Sequence, residues 1–429
     1  MVSAVWNEEY KHYTLEIRDV KTQATRRVTA QVVISATGVF NLPRWPDIPG
    51  RESFKGELLH AEHWDHGVKL SGKRVAVVGN GCSGSQMIPE ISKDSSVQIV
   101  NFCRTPSWYL PRPQTHVPSW VRWTFRNVPL TLKLFRWTLA GTFELLYHNM
   151  KKGLFSNLIH KIFEKGAVYY IKAMTPAKYH DKMIPSYPIG CKRIVFDPGY
   201  LSSLNRPNVE LEWEHIAEIV PEGVVTKSGK RMDFDVICFA TGFDIENSLA
   251  LNVTGVNKQT LEQYYQQEGG PTGYMGTTIP GFPNWVTIFG PNTATGHASV
   301  VFAEEMQMQY VAQLLKPILL GKVKSFAPRA EATRSWNDWV QFQLSKYHIW
   351  SSCASWYRAG NQRGKIVAIW PGSTKHMWWS LRKPVWENFE FDGGEDWLRK
   401  KRVTDLLKFV ALPSALAVAG AALAMASRT

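Results

Sequence analysis

A glycine-rich turn constrains the fold of this chain more than any other sequence feature. Residues 74–78 form a short, continuously apolar run, RVAVV, which the turn follows directly. A helical segment and a second apolar run, VQIVNF, come next. A buried strand, a tight turn, a helix and another strand within about thirty residues predict one βαβ unit with parallel strands. The chain is therefore predicted to contain an α/β domain.

The turn matches the dinucleotide-binding pattern GxGxxG, and its glycines have separate roles. Gly79 allows the tight turn, Gly81 allows the backbone to approach a pyrophosphate, and Gly84 allows the helix to pack closely on the strand. The helix N-terminus offers free N–H groups and the positive end of its dipole to the phosphates. The predicted cofactor-binding residues of the turn are Gly79, Asn80, Gly81, Cys82, Ser83 and Gly84.

The residues after the second strand indicate which dinucleotide binds. An NAD site places Asp or Glu about twenty residues after the glycines, where the carboxylate holds the ribose hydroxyls. Here residues 101–106 read NFCRTP, with Arg104 in that region and no acid. A cation there favours the 2′-phosphate of NADP, and the alternative is a solvated surface arginine.

Composition narrows the class of protein and of partner. The chain has 429 residues, 44% of them hydrophobic and 20% charged, which predicts a globular protein of two or three domains. The formal net charge of +14 agrees with nucleic acid, a phosphorylated cofactor or a membrane surface as the anionic partner. Nucleic acid is the least supported of the three, because no zinc-ligand spacing, helix-turn-helix pattern or aromatic RNA-binding motif occurs.

The cysteine pattern bears on redox environment. The five cysteines are odd in number, scattered and never arranged as CxxC, which argues against a disulfide framework or a metal site and indicates a reducing compartment. We predict that all five are small core or loop residues. They are Cys82, Cys103, Cys191, Cys238 and Cys353.

An uncharged run at 409–426 follows a basic cluster at 399–402. Its length is near the minimum for crossing a bilayer, roughly 20 residues, but its Ala and Gly content makes it weakly hydrophobic. A tail anchor, an interfacial helix and a packed terminal helix all remain open. If the run spans a membrane, the basic flank would keep the rest of the chain on the cytoplasmic side.

Other segments predict strands and a helical insert. Tyr13–Val20 alternates apolar and polar residues, and Val28–Ser35 ends in a run typical of a buried central strand before a glycine turn. A second run of this kind, Asp235–Gly242, also ends in the sequence ATG. Trp120–Met150 has helical periodicity and mixes aromatic and basic residues. A helical insert packed on the sheet is favoured there, and a helix on a membrane surface is the alternative.

Residues 54–65 carry a longer motif. By its residues alone the segment is an aromatic and histidine-rich linker. It matches FxGxxxHxxxW[P/D], the fingerprint of the Baeyer–Villiger monooxygenases, and the proline-rich loop ATGVFNLPRWPDIPG before it also resembles that family. In the family the histidine lies between two nucleotide-binding domains and couples their motions, which implies a hinge role. The matching residues are Phe54, Gly56, His60, Trp64 and Asp65.

Further segments resemble this family in the same order. Arg104-Thr105-Pro106 resembles its NADP-phosphate clamp. Residues 187–193, YPIGCKR, resemble another loop of the family. The resemblance implies that Lys192 contacts the same phosphate and that Arg193 is the active-site cation.

Later segments resemble the parts that return to the flavin and close the site. Residues 285–292, which include Asn292, and 296–299 resemble the segment that returns to the flavin ring. Residues 353–357, which include Trp356, and 370–372 resemble the loop over nicotinamide and substrate. Thr37 and Gly38 of the first ATG turn would line the FAD site.

The resemblance implies an FAD-dependent, NADPH-using monooxygenase that inserts one oxygen atom from O2 into a small apolar organic substrate, such as a ketone converted to an ester or lactone. The cofactor supplies the chemistry, and the protein positions it and stabilises charge. Arginine remains protonated where lysine would not, so Arg193 suits a buried negative charge. The alternative is a non-catalytic NADP-binding remnant or membrane-tethered partner that has lost FAD binding.

The resemblance also implies a fold: α/β, with two Rossmann-like dinucleotide-binding domains and a C-terminal hydrophobic helix. Family members begin with another βαβ unit whose own GxGxxG seats FAD, and this chain is expected to be an N-terminally truncated member. The first two expected divisions are an FAD-domain remnant with the fingerprint linker (1–65) and an NADP domain (66–242) that contains a helical insert (118–153). The other two are a C-terminal return to the FAD domain with a substrate lid (243–398) and a basic flank with the tail helix (399–429).

Overall fold

The computed structural model describes residues 1–112, 116–148, 150–401 and 403–404. The uncharged run at 409–426, for which a terminal helix is predicted, lies outside the described residues. Within them, no helix combines the length and the apolar character needed to cross a membrane.

The described strands are short and belong to several sheets. In chain order they are β1 (Ser3–Asn7), β2 (His12–Arg18), β3 (Thr25–Ala30), β4 (Val33–Ser35), β5 (Glu57–His60), β6 (Arg74–Val78), β7 (Gln98–Phe102), β8 (Tyr109–Pro111), β9 (Val195–Asp197), β10 (Val209–Glu212), β11 (Ile216–Val220), β12 (Gly223–Thr226), β13 (Arg231–Asp233), β14 (Val236–Phe239), β15 (Val253–Thr254), β16 (Trp285–Thr287), β17 (Ser325–Pro328) and β18 (Phe389–Asp392).

The described helices range from single turns to about six turns. In chain order they are α1 (Cys82–Ile91), α2 (Ser119–Asn127), α3 (Thr131–His148), α4 (Leu154–Met174), α5 (His180–Met183), α6 (Tyr200–Ser203), α7 (Ile245–Leu249), α8 (Leu261–Gln267), α9 (Val300–Leu319), α10 (Ala330–Tyr347), α11 (Ala359–Gln362) and α12 (Thr374–Leu381). Short 3-10 turns occur at Arg51–Ser53, Ala177–Tyr179, Val256–Lys258, Ile349–Ser352 and Trp386–Asn388.

A five-stranded parallel sheet, in the order β10-β7-β6-β14-β5, forms the centre of one domain. Side chains alternate between its faces, so that Val75 and Val77 enter one apolar core while Ala76 enters the core on the other face. Because both faces are covered, the strands need continuous apolar runs. The predicted βαβ unit is confirmed as β6–α1–β7, and the second apolar run is confirmed as the fully buried strand β14.

A second region contains the N-terminal strands. A four-stranded sheet has the order β15-β1-β2-β3, and β4 pairs in parallel with β16 in a separate two-stranded sheet. The strand predicted around Tyr13 is confirmed as β2. The apolar run that ends Val28–Ser35, predicted as a buried central strand before the glycine turn, does contain the strand β4, but Ile34 is exposed and β16 is the one strand paired with β4 among the described residues. Asn284 inserts at the break between β3 and β4. Its side-chain nitrogen donates to the Gln31 carbonyl oxygen at 2.9 Å, and its own carbonyl oxygen accepts from the Val33 N–H at 3.1 Å.

The predicted helical insert (118–153) contains α2 and α3, which cover little of the protein interior, whereas α4 follows it and packs on the sheet core through Ala167 and Ile171. No residue of α2 is buried, and Tyr147 is the one buried residue in the described part of α3. The favoured prediction that the insert packs on the sheet is therefore wrong for α2 and for most of α3. Polar contacts fix α3 instead: Arg136 forms an ion pair with Glu305 of α9 at 2.5 Å, and Glu144 accepts from the Thr374 hydroxyl of α12 at 2.8 Å.

Candidate nucleotide and active site

The glycine turn between β6 and α1 has the geometry that its sequence predicts. Gly79 has φ +113°, and a Cβ there would lie 2.5 Å from the carbonyl oxygen of Ala240 in the second ATG turn. A Cβ on Gly84 would collide with the Gly79 carbonyl oxygen. Helix α1 can therefore approach β6 this closely only because both positions lack side chains.

The surface of this turn is open, and it carries an unpartnered polar group. A Cβ on Gly81 would meet no atom within 4 Å, so the space in front of the N-terminus of α1 is free for a ligand. Cys82 and Ser83 are partly exposed beside it. The side-chain nitrogen of Asn80 is buried without a hydrogen-bond partner among the described residues. Free N–H groups at a helix N-terminus together with this donor fit a dinucleotide pyrophosphate.

Alanine substitutions at two of these glycines should separate folding from binding. Gly84→Ala is expected to lower the free energy of unfolding by about 1–3 kcal/mol, because a new methyl group must displace backbone. Gly81→Ala is expected to leave thermal stability unchanged, since its φ of −73° suits alanine, while NADP affinity falls at least about tenfold. Calorimetry measures both quantities. Equal NADP affinity in wild type and Gly81→Ala would contradict the assigned pyrophosphate position.

The two segments predicted to hold the 2′-phosphate lie together. The Tyr187 hydroxyl donates to the Pro106 carbonyl oxygen at 2.9 Å, and the Lys192 ammonium lies 4.7 Å from the centroid of the Tyr187 ring. Burial, and then the charge of nearby Arg104, lower the pKa of Lys192. The salt bridges between described residues do not include either cation. Two repelling cations without a carboxylate fit a phosphate, and Thr105 lies partly exposed beside Arg104.

The lowered pKa of Lys192 predicts how NADP binding depends on pH. Only the protonated ammonium attracts the phosphate, so NADP affinity should fall as pH rises through a value below the usual 10.5 of lysine. Calorimetric titrations from about pH 7 to about pH 10 would measure this decline. Lys192→Arg should abolish it, because arginine stays charged. NAD, which lacks the phosphate, is the control, and identical pH profiles for NADP and NAD would refute the assignment.

Arg193 lies where three segments meet. Its charge acts on the Tyr357 hydroxyl, and so does Cys82 of the glycine turn. Tyr357 is buried, and burial raises its pKa while the Arg193 charge opposes that rise. Arg193 itself is exposed. The predicted cation, the start of α1 and Tyr357 of the late loop (residues 353–372) therefore lie close enough to interact electrostatically.

A disulfide joins the loop of Arg193 to the late loop. Cys191 and Cys353 are bonded; their Cα atoms are 6.1 Å apart, and their positions in the sequence differ by 162. The prediction that no cysteines pair is wrong for these two, because the fold brings together residues whose spacing carries no signal. Cys82, Cys103 and Cys238 are free. The bond ties Lys192 and Arg193 to the segment that contains Trp356.

Peptide mapping without reductant should recover a Cys191–Cys353 crosslink. Reduction is expected to lower the free energy of unfolding by about 2–4 kcal/mol, since the bond closes a long loop in the unfolded chain. Thermal denaturation with and without dithiothreitol measures the effect. The double variant Cys191→Ser, Cys353→Ser is the control, and a reductant effect of equal size in that variant would contradict the prediction.

The fingerprint residues have distinct structural tasks. Phe54 is buried in a core beside the parallel sheet, and a Cβ on Gly56 would meet the Asp235 carbonyl oxygen and the Phe54 ring. His60 ends the edge strand β5, paired with Phe239. Trp64 packs on the sheet core, and an Asp65 carboxylate oxygen accepts from the Gly67 N–H at 2.7 Å.

An aromatic cluster links His60 to the late loop. His60 is 2% exposed, and burial followed by the charge of His63 lowers its pKa. Ring contacts connect it to the 39–45 loop, the second ATG turn and the late loop; the ring centroids are 5.2–6.5 Å apart. The cluster consists of Phe40, Trp45, His60, Phe243 and Trp356. A movement of the fingerprint strand would therefore reach Trp356 through the rings of Phe243 and Phe40.

A cleft lies beside the parallel pair β4–β16. Thr37 and Gly38 of the first ATG turn line it together with Ser248 and Trp285. Gly38 has φ +74°, with free space at its Cβ position. The Ser248 hydroxyl and the Trp285 indole N–H are buried without partners among the described residues. The cleft has a volume of about 10 Å³, room for about one water molecule, so these donors mark a polar site beside the first ATG turn that is too small, as it stands, for a portion of FAD.

Asn292, predicted to face the flavin, instead forms hydrogen bonds with the backbone of another loop. Its side-chain nitrogen donates to the carbonyl oxygens of Ile366 at 2.8 Å and Ile369 at 3.1 Å. It therefore fastens the segment after β16 to the late loop. Sequence reasoning also missed Tyr357, Phe40 and Phe243 as site residues. Tyr357 and Phe40 belong to motifs quoted above and Phe243 directly follows the second ATG turn, but loop residues show no periodicity that would indicate where their side chains point.

Comparison with known proteins extends these observations. The family model described as flavin-binding monooxygenase-like matches residues 15–129. A Baeyer–Villiger monooxygenase of Streptomyces coelicolor is 35% identical over 352 residues, which cover 81% of this chain and 66% of the relative. The FAD-binding monooxygenase tazF of Aspergillus terreus is 30% identical over 408 residues, covering 91% and 71%. The chain thus spans about two thirds of the length of these curated relatives.

Solved structures share the fold. A crystal structure of OTEMO in complex with FAD and NADP superposes with a TM-score of 0.77 at 23% identity. The match covers 91% of this chain and 80% of that chain. At this identity, the similarity establishes a common two-domain α/β architecture.

Proposed function

The chain belongs to the Baeyer–Villiger and flavin-containing monooxygenase family, and we propose that it is an FAD-dependent, NADPH-using monooxygenase. One observation carries the proposal. Arg104 and Lys192 form an uncompensated cation pair beside an open dinucleotide turn, and the next residue, Arg193, lies near Tyr357. NADP binding and a fixed charge at a reaction centre would thus be adjacent.

The chain's own residues would bind and orient two cofactors. The N–H groups at the start of α1 would hold the NADP pyrophosphate, and Arg104 with Lys192 would hold the 2′-phosphate. Thr37 and Gly38 of the first ATG turn would lie beside FAD, as the family resemblance implies. When bound, the flavin supplies the reductive activation of O2. Arg193 would stabilise negative charge that develops beside it, because a guanidinium keeps its proton at every working pH.

We propose an apolar ketone as the substrate, converted to an ester or lactone. Trp356 is partly exposed at the end of the aromatic cluster, where it can form an apolar wall next to Arg193 and Tyr357. Aromatic rings exclude water from a site and accept apolar ligands without demanding polar partners.

The test begins with the purified full chain supplied with FAD. The expected results are a flavin absorption band at one FAD per chain, NADPH oxidation that depends on a ketone, and an ester or lactone that carries one oxygen atom from 18O-labelled O2. Cyclic and aromatic ketones are suitable first substrates. A chain that binds NADPH but takes up no FAD would overturn the monooxygenase proposal in favour of an NADP-binding remnant.

A further inference from the structure

The helical insert and α4 present an apolar outer surface. Between residues 119 and 169, fifteen large hydrophobic side chains are exposed, by 41–92% of their area. Such a density is unusual for a surface that faces only water. The exposed side chains are Trp120, Trp123, Val128, Leu130, Leu132, Leu134, Phe135, Trp137, Leu139, Leu145, Leu154, Phe155, Leu158, Ile162 and Tyr169.

The exposed side chains are ordered along the helices. On α4, Phe155, Leu158 and Ile162 are spaced by three and four residues and so share one face. The opposite face of α4 is buried through Ser156, Ala167 and Ile171. Helix α4 therefore has an inner face that packs on the protein and a second apolar face that points outwards.

Basic residues alternate with these apolar ones. Between residues 119 and 172 the chain has two carboxylates, and Glu144 is already held by Thr374 and Lys375 of α12. Among the described residues, Arg136 alone of the basic residues in this interval forms a salt bridge. The basic residues of the interval are Arg122, Arg126, Lys133, Arg136, Lys151, Lys152, Lys161, Lys165 and Lys172. Lys151 and Lys152 contact Tyr147 and Ser345 respectively. The interval nevertheless combines exposed apolar area with an excess of positive charge.

We propose that the outer face of α2, α3 and α4 docks on the surface of an anionic lipid bilayer. Leucine and phenylalanine side chains suit the boundary of the acyl chains, tryptophan suits the level of the headgroups, and lysine and arginine attract anionic headgroups. A nucleic acid would satisfy the charge but leave the leucines in water. The helices lie on the membrane plane in this arrangement and do not cross it.

The C-terminal part of α3 and the residues after it lie next to the candidate active site. The Tyr147 hydroxyl lies 2.8 Å from the His348 Nε2 atom, next to the 3-10 turn at Ile349–Ser352. Met150 lies against Gly190, where a Cβ would be 3.0 Å from the Met150 sulfur. Gly190 directly precedes the disulfide-bonded Cys191. Docking would therefore bring the site near the lipid phase, which favours substrates that partition into lipid. This consequence for the substrate class rests on the proposed function, whereas the docking itself does not.

Vesicle binding of the full chain tests the proposal. The probes are vesicles of phosphatidylcholine alone and of phosphatidylcholine mixed with phosphatidylglycerol, measured by flotation and by quenching of tryptophan emission with brominated lipids. We expect binding to the anionic vesicles at least about tenfold stronger than to the neutral ones, and weaker at high salt. Equal binding to both kinds of vesicle, or none to either, would overturn the proposal.

Matched variants show which surface binds. The quadruple variant W120S, W123S, L158S, I162S should lose at least about tenfold in vesicle affinity, while Y10S with V20S, at side chains exposed by 65% and 86% near β2, should lose none. Neutralising Arg122, Arg126 and Lys133 with glutamine should weaken binding, and glutamine at Lys21, Arg26 and Arg27 should not.

Two outcomes identify another occupant of the surface and would overturn the proposal. Vesicle binding that the quadruple variant retains would assign it to a different part of the chain. A wild-type dimer that this variant converts to a monomer, without a change in vesicle binding, would assign the outer face to a second copy. NADP affinity, measured on every variant, verifies folding and separates failure of docking from failure of the proposed function.

Discussion

Replacing Arg104 and Lys192 together by alanine is expected to abolish the preference for NADPH over NADH. The two cations lie on segments joined by the Tyr187–Pro106 hydrogen bond, and each repels the other until an anion binds. A hydrogen bond to a charged group contributes about 1.5–3 kcal/mol, so two of them predict a loss of selectivity of roughly a hundredfold or more. The dissociation constants of both nucleotides, measured by calorimetry, give the ratio.

The control removes the same charge elsewhere. Arg26→Ala with Arg27→Ala lowers the net charge equally, at exposed positions on β3. That variant should retain the preference for NADPH, because long-range attraction is screened within about 10 Å at ordinary salt. A similar drop in NADPH affinity for both double variants would show that net charge governs binding. NADH affinity should change little in either variant.

Arg193→Ala is expected to uncouple NADPH oxidation from product formation. If Arg193 stabilises the charge that develops during oxygen transfer, its loss should lower the rate of ester formation by roughly 10²–10³-fold. NADPH affinity should remain, because the 2′-phosphate is assigned to Arg104 and Lys192. The measurement is product formed per NADPH consumed, determined by chromatography.

Two further variants sharpen this test. Arg193→Lys keeps a positive charge but not the planar fork, so it should recover part of the yield and lose it at alkaline pH. Arg26→Ala, far from the site in sequence and exposed, should leave the yield unchanged. Ester yield per NADPH in Arg193→Ala equal to that of wild type would remove this residue from the reaction.

Local patterns accounted for the nucleotide turn. A strand, a glycine turn and a helix follow one another in sequence, and the roles of Gly79 and Gly84 depend on backbone contacts within or next to that unit. The position of Arg104 just after β7 follows from the same unit. The motif comparison, by contrast, was needed to single out Lys192 and Arg193, since no periodicity relates them to the turn.

Some predictions failed because they depended on distant partners. The apolar run before the first ATG turn was expected to be a buried central strand, yet β4 pairs with β16, and Asn284, more than two hundred residues later, separates it from β3. The pairing of Cys191 with Cys353 depends on two loops that only the folded chain brings together. The helical insert was expected to pack on the sheet, but helical periodicity cannot tell whether an apolar face meets protein or remains open.

The sequence by itself determined the parallel βαβ unit, the dinucleotide turn and the family fingerprint, because each depends on residues that are neighbours along the chain. The tertiary structure decided that Arg104 lies near Lys192, that Arg193 and Cys82 lie near Tyr357, and that no described element covers the outer face of α2, α3 and α4. These features depend on contacts between segments tens to hundreds of residues apart. Such contacts are set by the packing of whole elements, which short sequence patterns do not encode.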